Sequence, residues 1–222
     1  MRYKTAVEVV LIAAKELAFA KTRLAPALPA AAERSALAGA MFRDVLSAAL
    51  GARGSRQVAV VTSDPSLLVL ARDSGAIAID EEFPRGLNVA VQLAIGELVL
   101  RGATTVCTML SDTPGVQAED IDATFAAIPN DARSVVLVPS RDFSGTNMIV
   151  RTPPEVIPTY FGRFSLVRHL DACRARGIAS EILRLQRPAL DLDVPSDLFE
   201  FARLPGTTHT QSHLARLGLV HG

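Results

Sequence analysis

The stretch Thr104–Pro114, TTVCTMLSDTP, decides how the rest of the chain is read. Apolar residues follow one another through Leu110 instead of alternating with polar ones, which suits a strand covered on both faces. Ser111-Asp112-Thr113-Pro114 then ends the run with turn chemistry and leaves a carboxylate at the strand's carboxyl end. Runs of the same kind recur at Ala6–Ile12, Gln57–Thr62, Ala76–Ile79, Ser134–Pro139, Asn147–Arg151 and Glu181–Leu185. Between them the apolar period lengthens to that of a helix. Leu37, Met41, Val45 and Ala49 share a stripe of Glu33–Leu50, and Val91, Ile95 and Leu98 share one of Leu87–Arg101. Further helices are predicted through Ile121, Phe125 and Ile128, from a Ser165 cap through Cys173 to Gly177, and over Asp197–Leu204. Strands alternating with helices define an α/β sheet. No repeat or linker interrupts residues 1–204, which read as a single domain. Residues 205–222 read as a polar C-terminal tail.

With 222 residues, 49% hydrophobic and 21% charged, the chain can build a full core without disulfides or metal staples. Lys plus Arg and Asp plus Glu both number 23, which excludes nucleic-acid binding driven by overall basic charge. Cys107 and Cys173 sit in apolar runs with no CxxC spacing, as reduced core thiols of a cytoplasmic protein. No window is long and apolar enough to span a membrane. At the N-terminus, Arg2, Lys4 and Val7–Ala14 imitate a signal peptide ahead of Ala18-Phe19-Ala20. Glu8, Lys15 and Glu16 break that pattern, and a buried first strand is the better reading.

Polar residues gather where strands end, as ligands do in open α/β sheets. Lys15, Lys21 and Arg23 put three cations in one loop after the first strand, suited to a polyphosphate; a solvated surface loop is the alternative. This is not a Walker loop, since GxxxxGK[ST] is absent. Asp112 could reach magnesium or simply make a turn. In ALDLDVPSDL an extended backbone projects Asp191 and Asp193 to one face, either around a cation or as an exposed edge. Between Pro139 and Ser165, Thr146 offers a hydroxyl, and Gly162 and Ser165 sit at a helix N-terminus suited to an anion; a plain loop and cap is the alternative. Ser165, His169 and Asp171 lie on one short helix and cannot form a triad, so His169 reads as structural. His209 and His213 lack the Glu of HExxH and read as solvated.

Five segments in order, AKTRLAP (20–26), RGLNVAV (85–91), PSRDFSGTN (139–147), FGRFSLVRH (161–169) and DLDVPSDL (191–198), resemble the 2-phospho-L-lactate guanylyltransferase family of coenzyme F-420 biosynthesis. The resemblance implies a three-layer, Rossmann-like mixed sheet of the nucleotide-diphosphosugar-transferase kind. It implies transfer of GMP from GTP to 2-phospho-L-lactate, phosphoenolpyruvate or 3-phosphoglycerate, with pyrophosphate released and magnesium required. Asp112, Asp191 and Asp193 fall on its metal positions. Thr146, Gly162 and Ser165 fall on its phospho-acid positions. Lys15, Lys21 and Arg23, with Gly86 and Asn88 of a second loop, fall on the nucleotide side; Lys21, Arg23 and Asp112 are the catalytic candidates. A homodimer and a hand-off to the pathway's next transferase are further expectations.

Two departures stand out. The family's strand end runs through Pro-Ala-Asp-Leu-Pro where this chain has Met-Leu-Ser-Asp-Thr-Pro-Gly, and Ala14 replaces a proline before the first lysine. Another nucleotidyltransferase, a glycosyltransferase on the same fold, or a catalytically silent nucleotide-binding subunit are the competing readings.

Overall fold

A computed structural model describes residues 6–54 and 56–219. Seven strands form one mixed sheet: β1 (Glu8–Ala13), β2 (Gln57–Thr62), β3 (Ile77–Asp80), β4 (Thr105–Leu110), β5 (Ser134–Pro139), β6 (Thr146–Thr152) and β7 (Ala179–Ile182). Their order is β3-β2-β1-β4-β6-β5-β7, and β6 runs antiparallel to both of its neighbours. The helices are α1 (Ala31–Gly51), α2 (Pro65–Asp73), α3 (Leu87–Leu100), α4 (Ala118–Ala126), α5 (Ser165–Arg176), α6 (Gln186–Ala189), α7 (Pro195–Ala202) and α8 (His209–Arg216).

The unbroken apolar runs have the predicted consequence. On β1, Val9, Leu11 and Ala13 enter the core shared with α3, while Val10 and Ile12 enter the opposite core under α1. Both faces are covered, so alternation has no role in these strands. A third cluster, containing Leu24, Leu37, Met41, Leu192, Phe201 and Leu214, ties the loop after β1 to the C-terminal helices. Cys107 and Cys173 are free and buried; burial pushes the Cys107 thiol up to about 12. No helix among the described residues is long and apolar enough to cross a membrane.

Three sequence expectations need correction. The last strand is Ala179–Ile182 rather than Glu181–Leu185, because pairing with Ser134–Leu137 sets its register while Leu183 and Leu185 only pack on the core. Helix α2 was not anticipated; its start is fixed by the Asp64 carboxylate, which accepts from the Ser66 and Leu67 N–H groups. The segment from Pro205 is more than a polar tail, since α8 packs on α1. Asp44 accepts from the His209 and Thr210 N–H groups at 2.8 Å each, and Leu214 is fully buried. His209 is exposed as expected, but His213 is half-buried. Arg2, Lys4 and the last three residues lie outside the described residues.

Candidate active site

The strand order reverses between β1 and β4, and the loops leaving these two strands separate at their carboxyl ends. A cleft of about 870 Å³ opens there. One wall is the loop after β1, folded as two tight turns, Leu17–Phe19 and Thr22–Leu24. Asp64 anchors the first turn by accepting from the Leu17 N–H at 2.9 Å, and buried Leu24 anchors the second. Between them Lys21 takes a left-handed backbone (φ 56°), which turns its side chain inward.

The Lys21 ammonium lies 2.9 Å from Asp112 Oδ2 and 2.9 Å from Asp193 Oδ1. Burial opposes its charge, yet the two carboxylates outweigh that and raise its pKa above the usual lysine value. Arg23, exposed, stands 3.5 Å from Asp193. Lys15 is exposed on the cleft wall. Burial would raise the Asp193 carboxyl, but Lys21, Arg23 and Lys15 hold it below the ordinary range.

The two acidic segments are joined by the backbone: Leu192 N–H donates to the Asp112 carbonyl at 3.0 Å. Between the extended residues Leu190 and Val194, Leu192 is fully buried while Asp191 and Asp193 are half-buried on the cleft side, as the alternation predicted. Asp191 accepts from Asn147 Nδ2 at 3.3 Å, and burial followed by the Asp112 charge pushes its pKa up. Asn147 also donates to the Pro188 carbonyl, so β6 positions this segment from below.

These groups suit magnesium. Asp112 Oδ1 is buried without a hydrogen-bond partner, and Asp191 is raised by burial and then by the Asp112 charge, so a divalent cation would relieve both. No ready-made cage of three or more acidic, histidine or cysteine ligands exists among the described residues. Magnesium does not require one, since it is commonly held by one or two carboxylates together with substrate phosphates.

The opposite wall carries the residues expected to face the acid, Thr146, Gly162 and Ser165. Thr146 opens β6, and its N–H donates to Ser165 Oγ at 2.8 Å. Ser165 is therefore not the cap of α5. That position is Phe164, in a left-handed conformation, and the Ser165 hydroxyl faces Thr146. The Ser165 N–H is also engaged, donating to the Gly162 carbonyl at 3.1 Å. Gly162 has φ 109°, and a Cβ there would meet open space, consistent with a backbone left bare at the cleft wall.

His169 confirms its structural reading. Its Nε2 accepts from the Tyr160 N–H at 3.0 Å, which leaves Nδ1 as the donor toward Thr146 Oγ1 at 3.1 Å. Burial, then Arg151 and Arg168, push it down to about 3, so it stays neutral. Arg151 itself was missed from sequence. It is fully buried with no acidic partner among the described residues, and donates to Thr108, Thr159 and the Ile157 carbonyl. Its only sequence signal is a cation closing an otherwise apolar strand.

The second loop divides its duties. Gly86 (φ 95°) precedes α3 and lines a small side pocket off the cleft. Asn88 instead turns away from both spaces. Its Nδ2 donates to the Phe161 carbonyl at 3.0 Å and its Oδ1 accepts the Phe161 N–H at 2.7 Å. That amide braces the loop through Phe161 and Gly162.

The fold is a mixed-sheet α/β fold shared with solved transferase structures. A cytidylyltransferase from Leptospira borgpetersenii superposes with TM-score 0.63 at 10% identity, covering 97% of each chain. A protein from Desulfovibrio desulfuricans assigned as a nucleotide-diphospho-sugar transferase gives TM-score 0.77 at 15% identity, again over 97% of each chain. The chain belongs to the guanylyl transferase CofC-like family, which it matches over residues 8–221. It is 38% identical to a phosphoenolpyruvate guanylyltransferase of Sphaerobacter thermophilus, covering 87% of this chain and 92% of the relative. It is 35% identical to a 3-phospho-D-glycerate guanylyltransferase of Phenylobacterium zucineum, covering 89% and 91%.

Proposed function

We propose that the protein transfers GMP from GTP to a phosphorylated three-carbon acid and releases pyrophosphate, with phosphoenolpyruvate the first acceptor to test. The observation that carries this is the cleft itself: Lys21 is lodged between Asp112 and Asp193 on one wall, facing a bare-backbone loop at Gly162 on the other. Relatives named for phosphoenolpyruvate and 3-phospho-D-glycerate support the acceptor class.

In this reading an oxygen of the acceptor phosphate forms a bond to the α-phosphorus of GTP. The bond from that phosphorus to the β-phosphate oxygen breaks, and pyrophosphate leaves with the electron pair. The acceptor is already an anion, so no general base is needed and none is assigned. Lys15, Lys21 and Arg23 compensate the triphosphate's charge. The Gly162 backbone seats the acid, held in place by the Thr146–Ser165 hydrogen bond and by Asn88. Asp112, Asp191 and Asp193 would hold magnesium, which when bound supplies neutralising charge to the phosphate oxygens.

The product is a phosphoanhydride and hence an activated donor, so a hand-off to a downstream transferase of coenzyme F-420 biosynthesis belongs to the same proposal, as do a cytoplasmic setting and a homodimer. The test is pyrophosphate release from four nucleotides against 2-phospho-L-lactate, phosphoenolpyruvate and 3-phosphoglycerate. Release from GTP with one of these acids is expected; release with a sugar phosphate and none of the acids would point to another transferase of this fold.

A further inference from the structure

The main cleft continues into a side pocket of about 150 Å³, reached past Ala13, Ala14, Lys15 and Phe19, which border both spaces. Its wall is mostly apolar, from Val61, Pro84, Leu87 and Ala90. Its size suits one flat bicyclic base. Lys15, a cation proposed to face the triphosphate, lies at the junction, so a ring in this pocket sits within a nucleotide's reach of the phosphates.

Two polar groups in this wall are poorly satisfied within the fold. Glu81 is 8% exposed and forms no salt bridge among the described residues. Burial, together with the neighbouring charges of Glu16 and Asp80, pushes its carboxyl above the ordinary range, and only the Arg85 backbone N–H and charge work against this. The Ser63 hydroxyl oxygen is buried with no hydrogen-bond partner. A buried carboxylate without a cation partner is costly unless a ligand supplies donors.

Guanine has that pattern. Its N1–H and 2-amino group present two adjacent donors, which match the two acceptor oxygens of one carboxylate. Adenine and cytosine place an acceptor nitrogen on the same edge, and a carboxylate repels it. We infer that Glu81 is the residue that selects guanine, accepting from N1–H and the 2-amino group, while Ser63 donates to an acceptor on the purine. Phe19, largely exposed at the mouth, offers a face for the base or ribose. This rests on guanylyl transfer and names the part of the site that would make the transfer specific.

Titration calorimetry of the full chain with GTP and with ITP, which lacks only the 2-amino group, tests it in magnesium-containing buffer. The wild type should bind GTP about tenfold or more tighter than ITP, the scale of losing one hydrogen bond to a charged group. Glu81→Gln should weaken GTP far more than ITP, so that the ratio falls toward one. Glu81→Asp keeps the charge, withdraws it by one methylene, and should give an intermediate ratio even if Glu81→Gln fails to fold. Equal wild-type affinities, or a ratio unchanged in a folded Glu81 variant, would overturn the assignment. No acid is present, so this outcome is separate from whether any acid accepts GMP.

Discussion

Lys21 Nζ stands 2.9 Å from Asp112 Oδ2, although the two residues are separated by 91 positions in the chain. The second bond, to Asp193, makes the ammonium a clamp between the loops that follow β1 and β4 and the segment before α7. Removing it leaves two carboxylates facing each other beside Asp191. Breaking a fully buried pair typically costs roughly 3–5 kcal/mol, and the half-open Asp193 places this one at the low end or below. Lys21→Met should therefore lower the thermal midpoint in chelator, recover part of it with added magnesium, and abolish most turnover. A midpoint insensitive to magnesium would separate Lys21 from the carboxylates proposed to hold the metal.

Asp112→Asn and Asp193→Asn remove charge at nearly constant volume. Each should cut turnover by about a hundredfold or more, the scale of losing one transition-state electrostatic contact. Circular dichroism should show both folded. Wild-type rates at limiting magnesium in either variant would remove that residue from the ligand set.

On the acid side, Asn88→Ala frees the Phe161 N–H and carbonyl and should raise the acid KM while the GTP KM changes little. The same split is expected for Gly162→Val, more strongly, because φ 109° strains any side chain. Ser165→Ala keeps the backbone but deprives the buried Thr146 N–H of its acceptor, at a stability cost of about 1–3 kcal/mol and with a modest KM change. A raised GTP KM in Asn88→Ala would return that residue to the nucleotide side.

Acid should destabilise the protein through His169. Its folded pKa, about 3, lies below the unfolded value, so between these the unfolded chain binds more protons. Stability is complete above about pH 6.5 and falls as the pH drops toward 3, by about 2 kcal/mol at pH 5 from this group. Denaturant titrations at pH 7.5 and 5 should show that loss, and His169→Gln should reduce it. An identical pH slope in the variant would contradict a neutral, buried His169.

Much of this was readable in the chain because it rests on period and on strand ends. The unbroken runs at Val9–Ala13 and Val135–Val138 read as strands buried twice, Asp112 lay where such a strand delivers ligands, and alternation put Asp191 and Asp193 on one face. Long-range partnerships were not readable. Ser165 looked like a cap because a serine before an apolar run usually is one, yet Thr146 claims its hydroxyl and Phe164 takes the cap position. Asn88 sat in a nucleotide-like motif while its amide serves Phe161, 73 residues away. Helix α8 was hidden because its few apolar residues, Leu214 above all, find their core on α1 rather than in a local pattern.

The most direct measurement is mass spectrometry of the product formed from GTP and phosphoenolpyruvate with magnesium, read together with ³¹P NMR. Guanylyl transfer requires one new species whose mass is GMP plus the acid less one water, with coupled phosphoanhydride resonances and one pyrophosphate per product. Formation of GMP and pyrophosphate alone, or of GDP and phosphate, with phosphoenolpyruvate and the other two acids left intact, would contradict it.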